Sequence, residues 1–447
     1  MDPRLYRHIG SLVVIEKYGE ALDVINKVIA VSENNPELHH GLGELYGARG
    51  SLSFFCGRMK EAWENYGKDF AITNYYCDNG ISERLGITIL REQTVGRRIG
   101  EFTKQMDLLI KASKLGLRKD RPQILLKKGY FSLHNNALLK YWEKYITLFD
   151  DEKLIDMTGK AARESVSTVY APTKSGLTIE SDFAWMDVQK EWEAQGRRPL
   201  LEISEEDEDR GATAMAGLGV PHDGWFVCLH CRENSLHDRY PNNRSADINT
   251  YLPAINEVVR NGGWVVRIGD PSMSRLKEMK NVIDYAHHPK RCDRLDLYII
   301  AKCRFMISTP SGPCAVAAAF GTPQIHTNVY PFIARPWCKH DLFLPMLQQD
   351  IKTGELLSFK EQLRAFSICE QEHRLAAFGR RVIRNSEEEL KDGVNEMIDF
   401  VIHGGQNESA RTMELREKFD SVHLELFPTV TGKIGVGFID KYARLLN

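Results

Sequence analysis

Three short segments carry groups suited to an anionic, phosphate-bearing ligand. His230-Cys231-Arg232 closes an apolar run, and Arg232 offers a permanently charged, forked guanidinium that matches phosphate oxygens. Gly269-Asp270 closes a second apolar run, where a glycine lets a ligand approach the backbone. Thr309-Pro310-Ser311-Gly312 closes a third and opens directly into a helical pattern. Thr309 and Ser311 supply hydroxyls there, and Gly312 begins a helix whose first N–H groups and partial positive charge suit a phosphate. Each segment has a plainer reading alone: a surface ion pair for the arginine, a turn for Gly-Asp-Pro, a helix cap for Thr-Pro-Ser-Gly. They gain weight together, because all three fall at the carboxyl ends of strands in one predicted sheet, where open α/β sheets bind ligands.

Other chemistries fit less well. Cys228-Leu229-His230-Cys231 looks like a metal cluster, but a strand points Cys228 and His230 to one face and Cys231 to the other, and no second ligand pair stands at zinc-finger spacing. No metal and no resident cofactor is expected. Asp293-Arg294-Leu295-Asp296 reads as a helix start, and so does the acidic Ser204-Glu205-Glu206-Asp207, with Ser204 as cap. A Walker loop and a Gly-x-Gly-x-x-Gly are both missing, which disfavours ATP hydrolysis and NAD chemistry. A formal net charge of −2 argues against nucleic acid. The nine cysteines lack even spacing and read as free thiols of a reducing cytoplasm. The first residues lack the pattern of a secretory signal, and no run is long enough for a membrane span.

The elements that would position these groups follow from apolar periodicity. The 447 residues suggest roughly two to three domains. Residues 1–82 read as helices, with Ala21, Leu22, Ile25, Val28 and Ile29 at helical spacing and a tetratricopeptide-like flavour. This appendage offers a docking surface for a protein partner. Residues 83–218 alternate strand and helix: a strand at Ile87-Thr88-Ile89-Leu90, a helix through Met106 and Ile110 closed by Gly116, a strand at Gln123–Leu126 and a helix from Asn136 to Ile146. Residues 219–402 repeat the alternation more clearly, with strands at 225–229, 264–268, 282–285, 304–308 and 324–326. Residues 403–447 read as a helical tail. The fold class is therefore α/β, with two Rossmann-like doubly wound units behind an all-α appendage.

Trp225–Arg232, Arg244-Ser245-Ala246-Asp247-Ile248, Gly262–Met273, Val282–Ala286, Cys303–Ile307 and Thr309–Gly312 resemble a divergent family of bacterial glycosyltransferases found with surface-polysaccharide genes. The resemblance extends to Leu356–Phe359, to Asn385–Glu389 and, more thinly, to Arg98-Ile99-Gly100 and Trp142. It implies a GT-B-like architecture with the nucleotide-sugar donor on the C-terminal unit. Arg232, Thr309, Ser311 and Gly312 would then hold the donor diphosphate, with His230, Gly269 and Asp270 near the nucleotide. Arg244 and Asp247 match an Arg-x-x-Asp segment, and Asp247 also suits the cap of the helix beginning at Ile248. After Ile99-Gly100, relatives carry His where this chain has Glu101. A carboxylate there suits a general base for the acceptor hydroxyl, or a helix first turn. His230, His237 and His287 are further candidates for the base.

The resemblance implies transfer of a sugar to a glycan, lipid-linked or protein acceptor, with at most peripheral membrane contact. Metal independence is read from the missing Asp-x-Asp pair after a strand, and inversion from Glu387-Glu388-Glu389, which reads as a solvated first turn and not as a retaining carboxylate pattern. Two rivals stand beside it. One is a non-catalytic scaffold with a degenerate transferase unit. The other is a pyruvyl or phosphoryl transferase on the same fold.

Overall fold

The computed structural model follows the period of the apolar residues: helical where they recur at three and four, extended where they run together. It describes residues 17–35, 41–56, 98–117, 135–149, 178–233, 243–330, 335–364, 379–405, 408–425 and 429–447. Shorter described pieces are 8–9, 12, 38, 58, 60–62, 64–69, 87–89, 121–127, 170–172 and 375–376.

Helices α1 (Tyr18–Glu33) and α2 (Leu42–Phe55) pack on each other around a core of their own, with Ile25, Ile29, Leu45 and Tyr46 inside. The all-α segment expected at the N-terminus is present. Strands β1 (Ile87–Ile89), β2 (Arg121–Lys127) and β3 (Thr147–Phe149) then form a small parallel sheet. Helix α3 (Ile99–Lys114) follows β1, and α4 (Asn136–Trp142) follows β2. Asn135 caps α4 by accepting from Leu138 N at 3.0 Å. The aromatic helix read to Ile146 stops at Trp142, and the residues after it feed β3.

A short hairpin of β4 (Tyr170–Pro172) and β5 (Thr178–Glu180) precedes α5 (Ser181–Ala194) and α6 (Glu205–Gly217). Ser204 caps α6 through Asp207 N at 3.2 Å, as its sequence foretold. Helix α6 lies on the C-terminal unit, joined to it by ion pairs from Arg294 to Glu206 and Asp207 and from Lys302 to Glu208. The boundary read at 218 therefore falls after a helix that packs on the larger sheet.

That sheet has seven strands, all parallel. They are β6 (Phe226–His230), β7 (Trp264–Arg267), β8 (Val282–Ile283), β9 (Met306–Ser308), β10 (Gln324–Val329), β11 (Leu342–Pro345) and β14 (Lys433–Ile434), in the spatial order β14-β11-β10-β9-β6-β7-β8. An antiparallel pair, β12 (Leu347–Asp350) and β13 (Arg380–Ile383), stands apart. Helices α7 (Leu252–Arg260), α8 (Asp293–Lys302), α9 (Gly312–Phe320), α10 (Phe359–Arg364), α11 (Glu387–Val401), α12 (Ala410–Leu424) and α13 (Val436–Lys441) complete the unit.

Strand β6 is buried along its whole length, as a strand covered on both faces must be. Its side chains alternate between two cores. Val227 and Leu229 join one, while Phe226 and Cys228 join the other together with Phe102 and Met106 of α3. Helix α3 thus belongs by sequence to the first sheet and by packing to the second. The expected α/β class with two parallel sheets is what the chain builds. The segment read as a purely helical tail also supplies β14, which pairs with β11 from Leu342↔Lys433. Lys433-Ile434 is not an apolar run, and β14 is set by its pairing with β11.

Candidate functional site

The chain winds outward from β6 through β7 to β8, then returns to β9 on the other side of β6 and winds the opposite way. Between β6 and β9 the order reverses, and the carboxyl ends of two neighbouring strands diverge into separate loops, the usual place for a ligand crevice. Register pairs His230 with Ser308, so the residues just beyond them, Cys231-Arg232 and Thr309–Gly312, meet at that crevice.

Local geometry locks the two loops together. Thr309 N donates to His230 O at 3.1 Å, and Arg232 N donates to Thr309 Oγ1 at 2.9 Å. Thr309 is fully buried, so its hydroxyl fixes the backbone from which the half-buried Arg232 springs. Ser311 occupies the N-cap of α9 in extended conformation with no side-chain cap bond, and Gly312-Pro313 form the first turn. Proline at the second helical position removes a donor that would have no partner there. Cys231 turns to the opposite face, with Sγ 3.4 Å from Ala246 O, as strand alternation requires. Burial pushes its thiol well up. Among the described residues, no group of three or more His, Cys, Asp or Glu side chains is placed to hold a metal ion.

His230 is buried, with Nδ1 3.4 Å from Ile268 O. Burial pulls its pKa down to about 4, and the fields of Arg267 and Arg232 add to the effect. A neutral imidazole with so low a pKa is a poor proton acceptor at neutral pH. Asp247 accepts from Asn249 N at 2.9 Å and caps the 3₁₀ turn Ile248–Tyr251, so its capping role is realised.

The other wall comes from α3. Its first turn, Ile99-Gly100-Glu101, abuts the first turn of α9. A Cβ on Gly100 would stand 2.4 Å from Gly312 Cα, and one on Gly312 would stand 3.1 Å from Gly100 N. Gly100 has no room for a side chain at this contact, and Gly312 has very little. Neither helix has a side-chain cap, so two partially positive ends converge. Glu101, exposed on the third residue of α3, sits beside this junction.

Gly269 and Asp270 stand at the carboxyl end of β7, next to β6 on the same edge. Gly269 has φ +156°, a conformation that side chains rarely adopt, and a Cβ there would also have to push aside the flexible Met273 thioether, 2.6 Å away. Asp270 is exposed, and its Oδ1 accepts from Ser272 N at 2.9 Å. That bond and the Ser272 hydroxyl hold its carboxyl below the usual range. His237 and the loop 95–97 lie outside the described residues.

Sequence reasoning missed the far side of the crevice. Asn328 at the end of β10 adopts φ +52°, a conformation that asparagine tolerates better than most residues. It exchanges bonds with Asn385: Asn328 N donates to Oδ1 at 2.6 Å and Asn385 N donates back at 2.8 Å. Asn328 Nδ2 reaches Tyr251 OH at 3.1 Å, which lies 2.6 Å from Thr327 Oγ1. This buried net joins residues 57 and 77 positions apart, a pairing no local pattern shows. Glu233, Asp284 and His287 were also missed in this role; they gather beneath the loop after β7.

No family model matches the chain, and no curated protein matches it. Solved structures do. One is a glycosyl transferase family 9 structure from Veillonella parvula DSM 2008, 13% identical, with a TM-score of 0.35 over 58% of this chain and 86% of that one. Another is the E. coli ADP-heptose lipopolysaccharide heptosyltransferase II, 10% identical, TM-score 0.33, over 58% and 90%. A third is the dodecameric iron-containing heptosyltransferase TibC in complex with ADP-D-beta-D-heptose, 13% identical, TM-score 0.31, over 54% and 59%. Among the described residues, no helix is long and apolar enough to cross a membrane.

Proposed function

We propose that the chain is a GT-B-like glycosyltransferase that takes a nucleoside-diphosphate sugar at the β6/β9 edge and passes the sugar to a hydroxyl acceptor. The observation that carries this reading is the meeting of Arg232, the uncapped start of α9 and the start of α3 at the topological switch point of the large sheet.

In such a transfer the bond between the sugar and the diphosphate breaks, and negative charge builds on the departing phosphate oxygens. Arg232 and the amide end of α9 would meet that charge, in the manner of an oxyanion hole. Thr309 holds the Arg232 backbone at its post. Glu101, exposed and adjacent, is the group we assign to deprotonating the acceptor hydroxyl as it attacks from the α3 side; attack opposite the leaving group gives inversion. His230 is left out of the proton transfer because it is buried and its pKa is held near 4.

The test is a calorimetric binding screen of the full-length protein against UDP, GDP, CDP and ADP and their sugars, followed by turnover with the donor that binds. Arg232→Ala should cut turnover about 100-fold or more, the scale of one lost charge-stabilising donor. Unchanged turnover would remove the donor site from this edge. Failure of every nucleotide to bind would favour a non-catalytic scaffold. The mass of the product separates glycosyl transfer from pyruvyl or phosphoryl transfer.

A further inference from the structure

We propose that Glu233, Arg267, Asp284 and His287 form a brace that holds loop 269–276 ready for the nucleoside half of the donor, with His287 as a positioning residue. The proposal rests on reading the β6/β9 edge as the donor site.

The loop leaves β7 and spends its backbone polar groups on side chains from other segments. Ser274 N donates to Glu233 Oε2 at 2.8 Å, and Leu276 N donates to Asp284 Oδ2 at 3.1 Å. Arg291 Nη1 donates to Gly269 O at 3.0 Å. His287 Nε2 lies 2.9 Å from Met273 O and 3.1 Å from Pro271 O. Both are acceptors only, so Nε2 must carry a hydrogen to bond them and bridges the two.

A second layer holds the first. Arg267 Nη1 donates to Asp284 Oδ1 at 2.9 Å, Nη2 stands 3.6 Å from Glu233 Oε1, and His287 Nδ1 is 2.8 Å from Asp284 Oδ2. The Arg267 side chain is 0% exposed and that of His287 7%. Burying a guanidinium is costly unless it is paired, and a surface turn needs no such investment. The brace shapes a loop whose outer residues, Asp270, Pro271 and Ser272, remain exposed.

The same set reaches the phosphate crevice. Glu233 follows Arg232 directly, and Arg232 N is bound to Thr309 Oγ1. One connected network therefore runs from the start of α9 to the loop after β7.

Position along the edge selects the ligand. Neighbouring strands lie about 4.8 Å apart, so a nucleoside attached to a diphosphate at β6/β9 must extend over β10 or over β7 and β8. Among the described residues, the β10 side presents the buried Asn328–Asn385–Tyr251 net, whose polar groups are bonded to one another and not turned to a ligand. The β7 side carries the exposed, prearranged loop. A loop shaped before binding spares the ligand the ordering cost.

The experiment titrates the full-length protein with ADP, UDP, GDP, CDP and inorganic pyrophosphate, the last lacking a nucleoside. His287→Ala should weaken the best-bound nucleoside diphosphate by roughly 10-fold and leave pyrophosphate within about 2-fold. His287→Gln, whose amide N–H can reach the carbonyls, should recover most of the loss. Hydrogen exchange should show the Ser274 and Leu276 amides losing protection in His287→Ala while β6 amides keep theirs. If His287→Ala does not fold, His287→Gln against the shorter His287→Asn makes the same comparison. Equal nucleotide affinity in the variant, or a parallel loss of pyrophosphate, overturns the brace alone. A wild-type protein that binds neither ligand, or an Arg232→Ala variant that binds pyrophosphate as well as wild type, overturns the donor site and the brace with it.

Discussion

Helix α3 meets the C-terminal unit at two places, and the two are built on opposite plans. At its start, Gly100 touches Gly312 beside the exposed Glu101, with no cap on either helix. Eleven residues on, about 16 Å along the axis, Lys111 Nζ lies 2.7 Å from Asp107 Oδ2 and donates to Gln189 Oε1 at 2.6 Å. Trp185 Nε1 donates to the same carboxylate oxygen at 2.6 Å, and the Trp185 ring lies tilted against Trp337 of the C-terminal unit, centroids 4.1 Å apart. Both charges of that pair are sealed, at 1% and 0% exposure. The difference separates two tasks. The sealed end fixes where the helix lies, by burying charge that only one arrangement can pair. The open end leaves both helix starts without side-chain caps and Glu101 exposed, as the proposed transfer would require.

That division can be broken end by end. Lys111→Met strands the Asp107 carboxylate and should cost about 3–5 kcal/mol of stability. Denaturant unfolding reads the loss, while nucleotide affinity measured on the folded fraction should stay near wild type. A matching loss of affinity would mean the two ends are one device.

Acid should act next in size. Burial holds both His230 and His326 near pKa 4, below the ordinary value of about 6.5. Above pH 6.5 both are neutral, folded or unfolded, and contribute nothing. Between pH 6.5 and 4 the unfolded chain takes up protons that the native chain refuses, so stability falls, by on the order of 3 kcal/mol per histidine at pH 4. Unfolding midpoints measured across that window should fall, and His326→Phe should flatten the slope. An unchanged slope would place the acid sensitivity elsewhere.

Gly100→Ala puts a methyl 2.4 Å from Gly312 Cα. It should cost roughly 1–3 kcal/mol as overpacking and lower donor turnover by prying the two helix starts apart. Turnover that survives intact would show that the junction is packing only. Asp247→Ala is the smallest change. It removes a cap worth about 1 kcal/mol, read as a modest drop in melting temperature with donor binding unaltered.

Much of the large sheet is legible in the sequence because its strands are continuous apolar runs ended by turn residues. Phe226–His230, Trp264–Arg267 and Gln324–Val329 lie within a residue or a few of where the pattern puts them. Caps are legible too, since Ser204 and Asp247 act on amides two or three residues away. The strands β3, β11 and β14 are not: pairing with β2, β10 and β11 is what makes them strands. The site divides the same way. Arg232 and Thr309–Gly312 announce themselves as strand ends. The bracing role of Glu233, Asp284 and His287 does not show there, although His287 stands out as a candidate base, because only the fold gathers them at one turn.

The sequence by itself determined most of the segments that become strands and helices and which strand ends carry the arginine, hydroxyl and glycine groups suited to a phosphate. Those are properties of neighbours along the chain, written in apolar period, glycine and cap residues. Only the tertiary structure decided that β9 returns beside β6, that α3 lays its first turn on α9, and that Thr309 serves Arg232's backbone. Those contacts join residues 77 and about 200 positions apart. Their energy lies in burial and in hydrogen bonds that exist only once the sheet is assembled.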